Sequence, residues 1–130
     1  MQTNIQTNIP EIVAEVAAAF ERYERALNAN DVDVLDSCFW NDPRVIRYSL
    51  MDNAYGFGAI HASRLARARS DLRRALTRTV ITTFGRDLAT ANTEFERLES
   101  GRRGRQSQTW VRMPEGWRVV SAHVSFIPTP

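Results

Sequence analysis

The last quarter of the chain has the pattern of a β-hairpin. Two runs rich in β-branched and aromatic residues, 106–112 and 117–125, are joined by a Pro/Gly turn at 113–116. This combination predicts two antiparallel strands, and side chains alternate across a sheet. Polar groups at core-like positions therefore predict a sheet face that lines a wet cavity. The residues assigned to shared faces are Gln106, Gln108, Trp110 and Arg112 on the first strand, and Trp117, Val119, Ser121, His123 and Ser125 on the second.

Helical patterns precede the strand patterns, which predicts an α+β fold. We expect residues 1–8 to be a flexible tail and 9–130 to form one domain. A curved antiparallel sheet wrapped around the long first helix would form an open cone with an internal pocket. The first predicted helix begins at Pro10 and ends near 28–31, and two further helices are predicted at 31–37 and 59–70. The predicted strands are 45–48, 74–84, 89–99, 104–113 and 117–127, and a turn is predicted at 51–54.

The composition is that of a soluble globular protein, with 43% hydrophobic and 25% charged residues. No apolar run approaches the roughly 20 residues that a membrane-spanning helix needs, and the first residues lack the blocks of a signal peptide. We therefore expect a cytoplasmic protein without membrane contact. The basic residues are all arginine, so lysine-nucleophile chemistry and a P-loop are excluded. The single cysteine, Cys38, excludes an internal disulfide.

Neither a nucleic acid nor a metal is an expected partner. The net charge is only +2, and aromatic residues are not interleaved with the arginine-rich stretches. The two histidines, His61 and His123, have no carboxylates at ligand spacing. We expect no metal and no cofactor.

Tyr23 and Arg47 are polar residues in apolar patterns. Tyr23 belongs to the apolar stripe of the first helix, where its hydroxyl needs a partner, which is either a ligand or the backbone and water of an ordinary core. Arg47 lies between Ile46 and Tyr48 in an apolar strand. Alternation alone allows its side chain to point to solvent; pointing inward, it would need an anion, and a ligand carboxylate suits its planar guanidinium. His123 is either an acid/base or a hydrogen-bonded structural residue.

An ordered set of segments across about residues 10–127 resembles the AtzH-like family, which includes the HpxZ-type proteins encoded with oxalurate-catabolism enzymes. The resemblance implies a cystatin-like cone of the nuclear-transport-factor-2 and ketosteroid-isomerase type, dimeric or larger. The block Gly104-Arg-Gln-Ser-Gln-Thr-Trp110 is its specific part. The other segments are Tyr23 with its neighbours, Phe39-Trp40, Val45–Tyr48, Tyr55-Gly56, Ile81–Gly85 and Gly116–Ser125.

The resemblance also implies an activity. The family removes a carboxyl-bearing end of 1,3-dicarboxyurea to leave urea-1-carboxylate during cyanuric acid breakdown, and Tyr23 and Arg47 match the tyrosine and arginine held to matter for it. The stretch Ser49–Ala54 departs from the Gly-x-x-Glu-x-Leu that relatives commonly carry. This departure bears on the substrate more than on the fold.

Three hypotheses follow. The first is a cofactor-independent decarboxylating hydrolase of a small dicarboxylated urea, with Tyr23 and Arg47 catalytic, Arg64 a candidate for the second carboxylate, and Trp40, Gln108 and His123 on the pocket wall. The second is a non-catalytic ligand-binding or accessory subunit of an amidohydrolase encoded nearby. The third is a dimerising scaffold with an incidental cavity. In each case we expect a homodimer or a larger homo-oligomer.

Overall fold

A computed structural model of the protein describes residues 4–129. Its first helix, α1 (Pro10–Ala29), has Pro10 in the first turn, where the fixed φ of proline and its missing N–H are tolerated. The helix ends where Asn30 adopts a left-handed conformation with φ of 51°. The apolar stripe of α1, including Ile12, Val16 and Phe20, is buried. This is the long first helix that the sequence predicted.

Two short helices and two short strands follow α1. They are α2 (Val32–Ser37), β1 (Ile46–Tyr48), β2 (Asn53–Tyr55) and α3 (Phe57–Ala66). Asp31 caps α2 as predicted, since its side chain accepts a hydrogen bond of 3.2 Å from the Val34 amide. The expected turn at 51–54 is wrong in its second half, because Asn53–Tyr55 pairs antiparallel with β1. The predicted helix at 59–70 is also displaced toward the N-terminus.

Four long strands complete one sheet: β3 (Arg74–Phe84), β4 (Leu88–Arg97), β5 (Arg103–Met113) and β6 (Gly116–Phe126). The strand order is β2-β1-β6-β5-β4-β3, and only β1 and β6 run parallel. The sheet is curved and does not close. Its inner face, carrying Ala91, Trp110 and Val119, forms one core with the buried stripe of α1. The predicted α+β cone is confirmed.

A β-bulge at Val120 reverses the alternation of β6. Trp110 pairs with Val119 but Thr109 pairs with Ser121, so Val120 is an extra residue. Trp117 and Val119 are buried before the bulge, and Ala122 is the buried residue after it. The predicted common face of Trp117, Val119, Ser121, His123 and Ser125 is therefore wrong, since one inserted residue moves the last three to the opposite face.

The N-terminal segment contacts the sheet. The Asn8 amide donates to the Thr83 carbonyl over 3.0 Å, and the Gly85 amide donates to the Gln6 carbonyl over 2.8 Å. Gln6 and Asn8, which the sequence assigned to a flexible tail, are therefore hydrogen-bonded to the sheet, and residues 1–3 of that predicted tail lie outside the described residues. None of the helices within 4–129 combines the length and apolar composition that crossing a membrane requires.

Candidate functional site

A cavity of about 590 Å³ lies between the inner face of the sheet, α1 and α3. The residues that line it come from elements far apart in the sequence. They are Tyr23 and Leu27 of α1, Ser63 and Ala66 of α3, Arg67, Ala68, Ser70 and Leu72 after it, Arg47 and Tyr48 of β1 with the adjoining 49–52 turn, Arg74, Arg97 and Gln106 of β3, β4 and β5, and 122–124 of β6. Four of these residues are arginines, and their partners decide what the cavity can bind.

Arg47 points into the cavity. Its neighbour across the β1–β6 pair is buried Ala122, so both face inward, and Arg47 is only 8% exposed. Its Nη2 donates to the Ser63 hydroxyl over 2.7 Å, and Asp52 Oδ1 lies 3.9 Å away. Burial lowers the pKa of Arg47, and the positive charge of Arg64 lowers it further. The Arg47 Nε is buried and has no hydrogen-bond partner among residues 4–129.

Tyr23 lies in the same cavity, 7% exposed, with its ring centroid 6.2 Å from that of Phe39. Its neighbours on α1, Phe20 and Leu27, are buried, which fixes the helix face from which it projects. Within residues 4–129 the Tyr23 hydroxyl has no hydrogen-bond partner. A phenol O–H is thus available to a ligand in a site where a guanidinium is also only partly satisfied.

Arg67 and Arg97 also line the cavity, although the sequence did not single them out as binding residues. Arg67 Nη2 donates to Asn30 Oδ1 over 3.3 Å, and an Arg97 nitrogen donates to the Asp71 carbonyl. Burial lowers both pKa values, that of Arg67 to about 10, with nearby arginines adding to the effect. Both Nε atoms are buried, and neither has a hydrogen-bond partner in the part of the chain that the structure describes.

Arg74, by contrast, is neutralised. It makes a two-pronged ion pair with Glu24, with Nε–Oε2 of 2.9 Å and Nη2–Oε1 of 2.8 Å. The same Nη2 donates to Gln106 Oε1 over 3.1 Å. The Gln106 amide oxygen thus accepts from Arg74, while its amide nitrogen is a buried donor that has no acceptor among the described residues.

Three residues that the sequence predicted to bind substrate, Arg64 at the second carboxylate and Gln108 and Trp40 on the pocket wall, lie outside the cavity lining. Arg64 donates to Asp36 Oδ1 over 2.7 Å and stacks on the Phe39 ring. Gln108 is buried and accepts a hydrogen bond from the Trp110 indole. Trp40 packs partly buried at the edge of the core, under the guanidinium of Arg44.

His123 contributes to the lining but is exposed, because the bulge in β6 turns its side chain away from Arg47. Its ring packs edge-on against Tyr48, with 5.5 Å between centroids. Gln106, on the inner face of β5, is the glutamine that reaches the cavity. The alternation of β5 placed Gln106 and Gln108 on one face, so it could not distinguish them.

The cavity therefore carries excess positive charge. Among residues 4–129, Arg67 and Arg97 have no carboxylate within 4.0 Å, and that of Arg47 lies at 3.9 Å. Buried guanidinium groups that lower one another's pKa are stabilised by an anion that accepts their hydrogen bonds. The arrangement suits a small, multiply charged carboxylate.

A curved, open sheet that wraps around a long helix is the cystatin-like fold, which is also the fold of nuclear transport factor 2-like proteins. The chain belongs to the AtzH-like family, whose pattern matches residues 5–130. The implied family membership and fold are both confirmed.

Solved structures support this assignment. A protein of unknown function from Pectobacterium atrosepticum is 55% identical with a TM-score of 0.91, over 94% of this chain and 95% of that one. A cystatin-like fold protein from Burkholderia xenovorans is 45% identical with the same TM-score, over 98% and 100%. A nuclear transport factor 2-like protein from Salmonella enterica, 21% identical over 92% and 93% with a TM-score of 0.74, shows the fold alone. A search among curated proteins gave no match.

Proposed function

We propose that the protein binds a small dicarboxylated urea in this cavity and releases one terminal carboxyl group as carbon dioxide. The observation that carries the proposal is that Tyr23 and the buried Arg47 line the same cavity, which has uncompensated positive charge. Arg47 holds one carboxylate, with Ser63 orienting its guanidinium. The reaction class comes from the AtzH-like family resemblance.

The proposed decarboxylation needs only a proton donor and fixed positive charge. In 1,3-dicarboxyurea the bond between the terminal carboxyl carbon and the urea nitrogen breaks, and its electron pair goes to the nitrogen. The carboxyl carbon leaves as carbon dioxide, and one proton adds to the nitrogen to give urea-1-carboxylate. Tyr23 donates that proton or holds the donor water, and it is reprotonated from solvent. Fixed positive charge disperses the negative charge that develops on the urea.

Variants separate catalysis from binding. Tyr23→Phe keeps the ring in the core and removes only the hydroxyl, so we expect kcat to fall about 100-fold or more while affinity for glutarate, a stable five-carbon dicarboxylate, changes less than about threefold. Arg47→Gln should lower both kcat and the affinity for glutarate. Tyr55→Phe is the matched control, because Tyr55 is 60% exposed and outside the lining. Turnover is followed by NMR on 1,3-dicarboxyurea released in situ from its dimethyl ester.

Two results would overturn this function. If Tyr23→Phe retained full kcat, the hydroxyl would have no part in the bond cleavage. If the wild type bound glutarate but turned over no carboxylated urea, the cavity would belong to a binding or accessory protein. Co-purification of an amidohydrolase in stoichiometric amount would then identify the second hypothesis as the correct one.

A further inference from the structure

The cavity has a second group of unsatisfied donors, formed by Arg67 and Arg97. Arg67 is placed by the end of α3, since its backbone N–H caps the helix at the Ser63 carbonyl and its side chain then turns into the cavity. Its one side-chain partner within residues 4–129 is the neutral Asn30. Arg97 comes from the last residue of β4 and has the Asp71 carbonyl, also uncharged, as its partner. Neither pairing neutralises a guanidinium.

The Nε atoms of both arginines are buried, and none of the described residues, 4–129, accepts a hydrogen bond from them. A buried donor that lacks an acceptor costs on the order of 1–3 kcal/mol, and more when it is charged. Two such donors in one cavity therefore destabilise the folded protein when nothing accepts their hydrogen bonds. An anion that accepts hydrogen bonds from both would remove the cost.

Gln106 adds a neutral donor beside them. It is 6% exposed, lines the cavity, and has its amide oxygen fixed by Arg74, which Glu24 holds in turn. The chain Glu24–Arg74–Gln106 leaves the Gln106 Nε2 as an unpartnered donor. Such a group suits a carbonyl or carboxylate oxygen of a ligand and rejects another donor.

Arg97 and Gln106 lie on strands away from that of Arg47, whereas Arg67 approaches from the end of α3, and the charges of both Arg47 and Arg97 lower its pKa. Arg47 is on β1 and Arg97 on β4, with β6 and β5 between them. Three strand spacings amount to about 14 Å between the two backbones. Because Arg47 and Arg97 line the same cavity, a small molecule with an acidic group at each end can bridge them.

We propose that Arg67 and Arg97 form a second anion subsite in the cavity that Arg47 also lines, with Gln106 donating to the same ligand, so that the cavity selects dicarboxylates over monocarboxylates. That the dicarboxylate is a urea derivative rests on the proposed function; the subsite itself rests on the contacts above. The second carboxylate is held by Arg67 and Arg97, and Arg64, which is bound to Asp36, takes no part.

The test compares two ligands of equal length by titration calorimetry. Glutarate has two carboxylates, and glutaramate has one replaced by a neutral amide. Wild type should bind glutarate at least about tenfold more tightly than glutaramate. In Arg67→Gln and in Arg97→Gln this preference should fall to within about threefold, through loss of glutarate affinity alone. Arg69→Gln removes one exposed arginine nearby and should keep the wild-type preference.

The inference is overturned if wild type does not distinguish the two ligands, or if Arg67→Gln and Arg97→Gln weaken both ligands equally. An equal loss of affinity for the two ligands would show that the substitutions act through the general charge of the cavity or through a structural change. The proposed function fails separately: a wild type with the ligand preference but no turnover keeps the subsite and loses the enzyme. A wild type that turns over the urea but does not prefer glutarate keeps the proposed enzyme activity and loses the subsite.

Discussion

Arg64 and Arg67 are three residues apart, yet their guanidinium groups belong to different parts of the molecule. Arg64, on α3, donates to Asp36 over 2.7 Å and ties α3 to α2. Arg67 follows the last residue of the helix, Ala66, and enters the cavity. The end of α3 thus divides an arginine-rich stretch into a structural arginine and a ligand-facing one.

Arg67 should reduce the stability of the ligand-free protein. Burial lowers its pKa to about 10, so the folded state carries this charge at a cost at neutral pH. We expect Arg67→Gln to raise the free energy of unfolding by about 1 kcal/mol in urea titrations at pH 8. A lower stability in Arg67→Gln would show that the Asn30 hydrogen bond outweighs the desolvation of the charge.

The same shift predicts a pH dependence. The folded state releases the Arg67 proton more readily than the unfolded state does, so the cost is fully present well below pH 10. It is relieved as pH rises through about 10. The stability difference between wild type and Arg67→Gln should therefore shrink between pH 8 and pH 10.5, and a constant difference would contradict this assignment.

Glu24 should be among the most sensitive acidic positions. It is the carboxylate partner of buried Arg74, and Glu24→Gln leaves that charge uncompensated. We expect a loss of about 3 kcal/mol or more in the free energy of unfolding. The control is Glu21→Gln, which breaks an exposed pair with Arg25 and should cost less than about 1 kcal/mol. Equal effects in the two variants would contradict a special role for the buried pair.

Gly104 should tolerate no side chain. It faces Phe95 across the β4–β5 pair, and a Cβ at this position would overlap the Phe95 ring. We expect Gly104→Ala to cost about 1–3 kcal/mol through displacement of that ring. Gly58→Ala, in α3 with open space around it, should be neutral or stabilising by up to about 1 kcal/mol. Thermal unfolding of both variants and the wild type tests these two expected changes in stability.

Much of the fold could be predicted from the sequence, because its signals are local. The Pro10 start of α1, the Asp31 cap and the four long strands depend on nearby residues, and their predicted bounds agree with the structure to within two residues. The segment Asn53–Tyr55 carries no strand pattern of its own and becomes β2 through pairing with β1. That pairing is a tertiary effect, which a local pattern does not contain.

The site was less predictable for the same reason. The pattern singled out Arg47 because a charged residue in an apolar strand is conspicuous, but the inward direction of its side chain is set by its pairing with Ala122 of β6. The choice between Arg64 and Arg67 depends on Asp36, 28 residues before Arg64. The bulge at Val120, which moves His123 to the other face, has no local signature such as a glycine.

The most direct measurement is the rate at which purified wild type converts 1,3-dicarboxyurea to urea-1-carboxylate, with and without glutarate. We predict a rate well above that of the spontaneous reaction, competitively inhibited by glutarate, because both molecules occupy the arginine-lined cavity. Conversion at the rate of buffer alone, or conversion that saturating glutarate leaves unchanged, would contradict the proposal that this cavity is the site of the reaction.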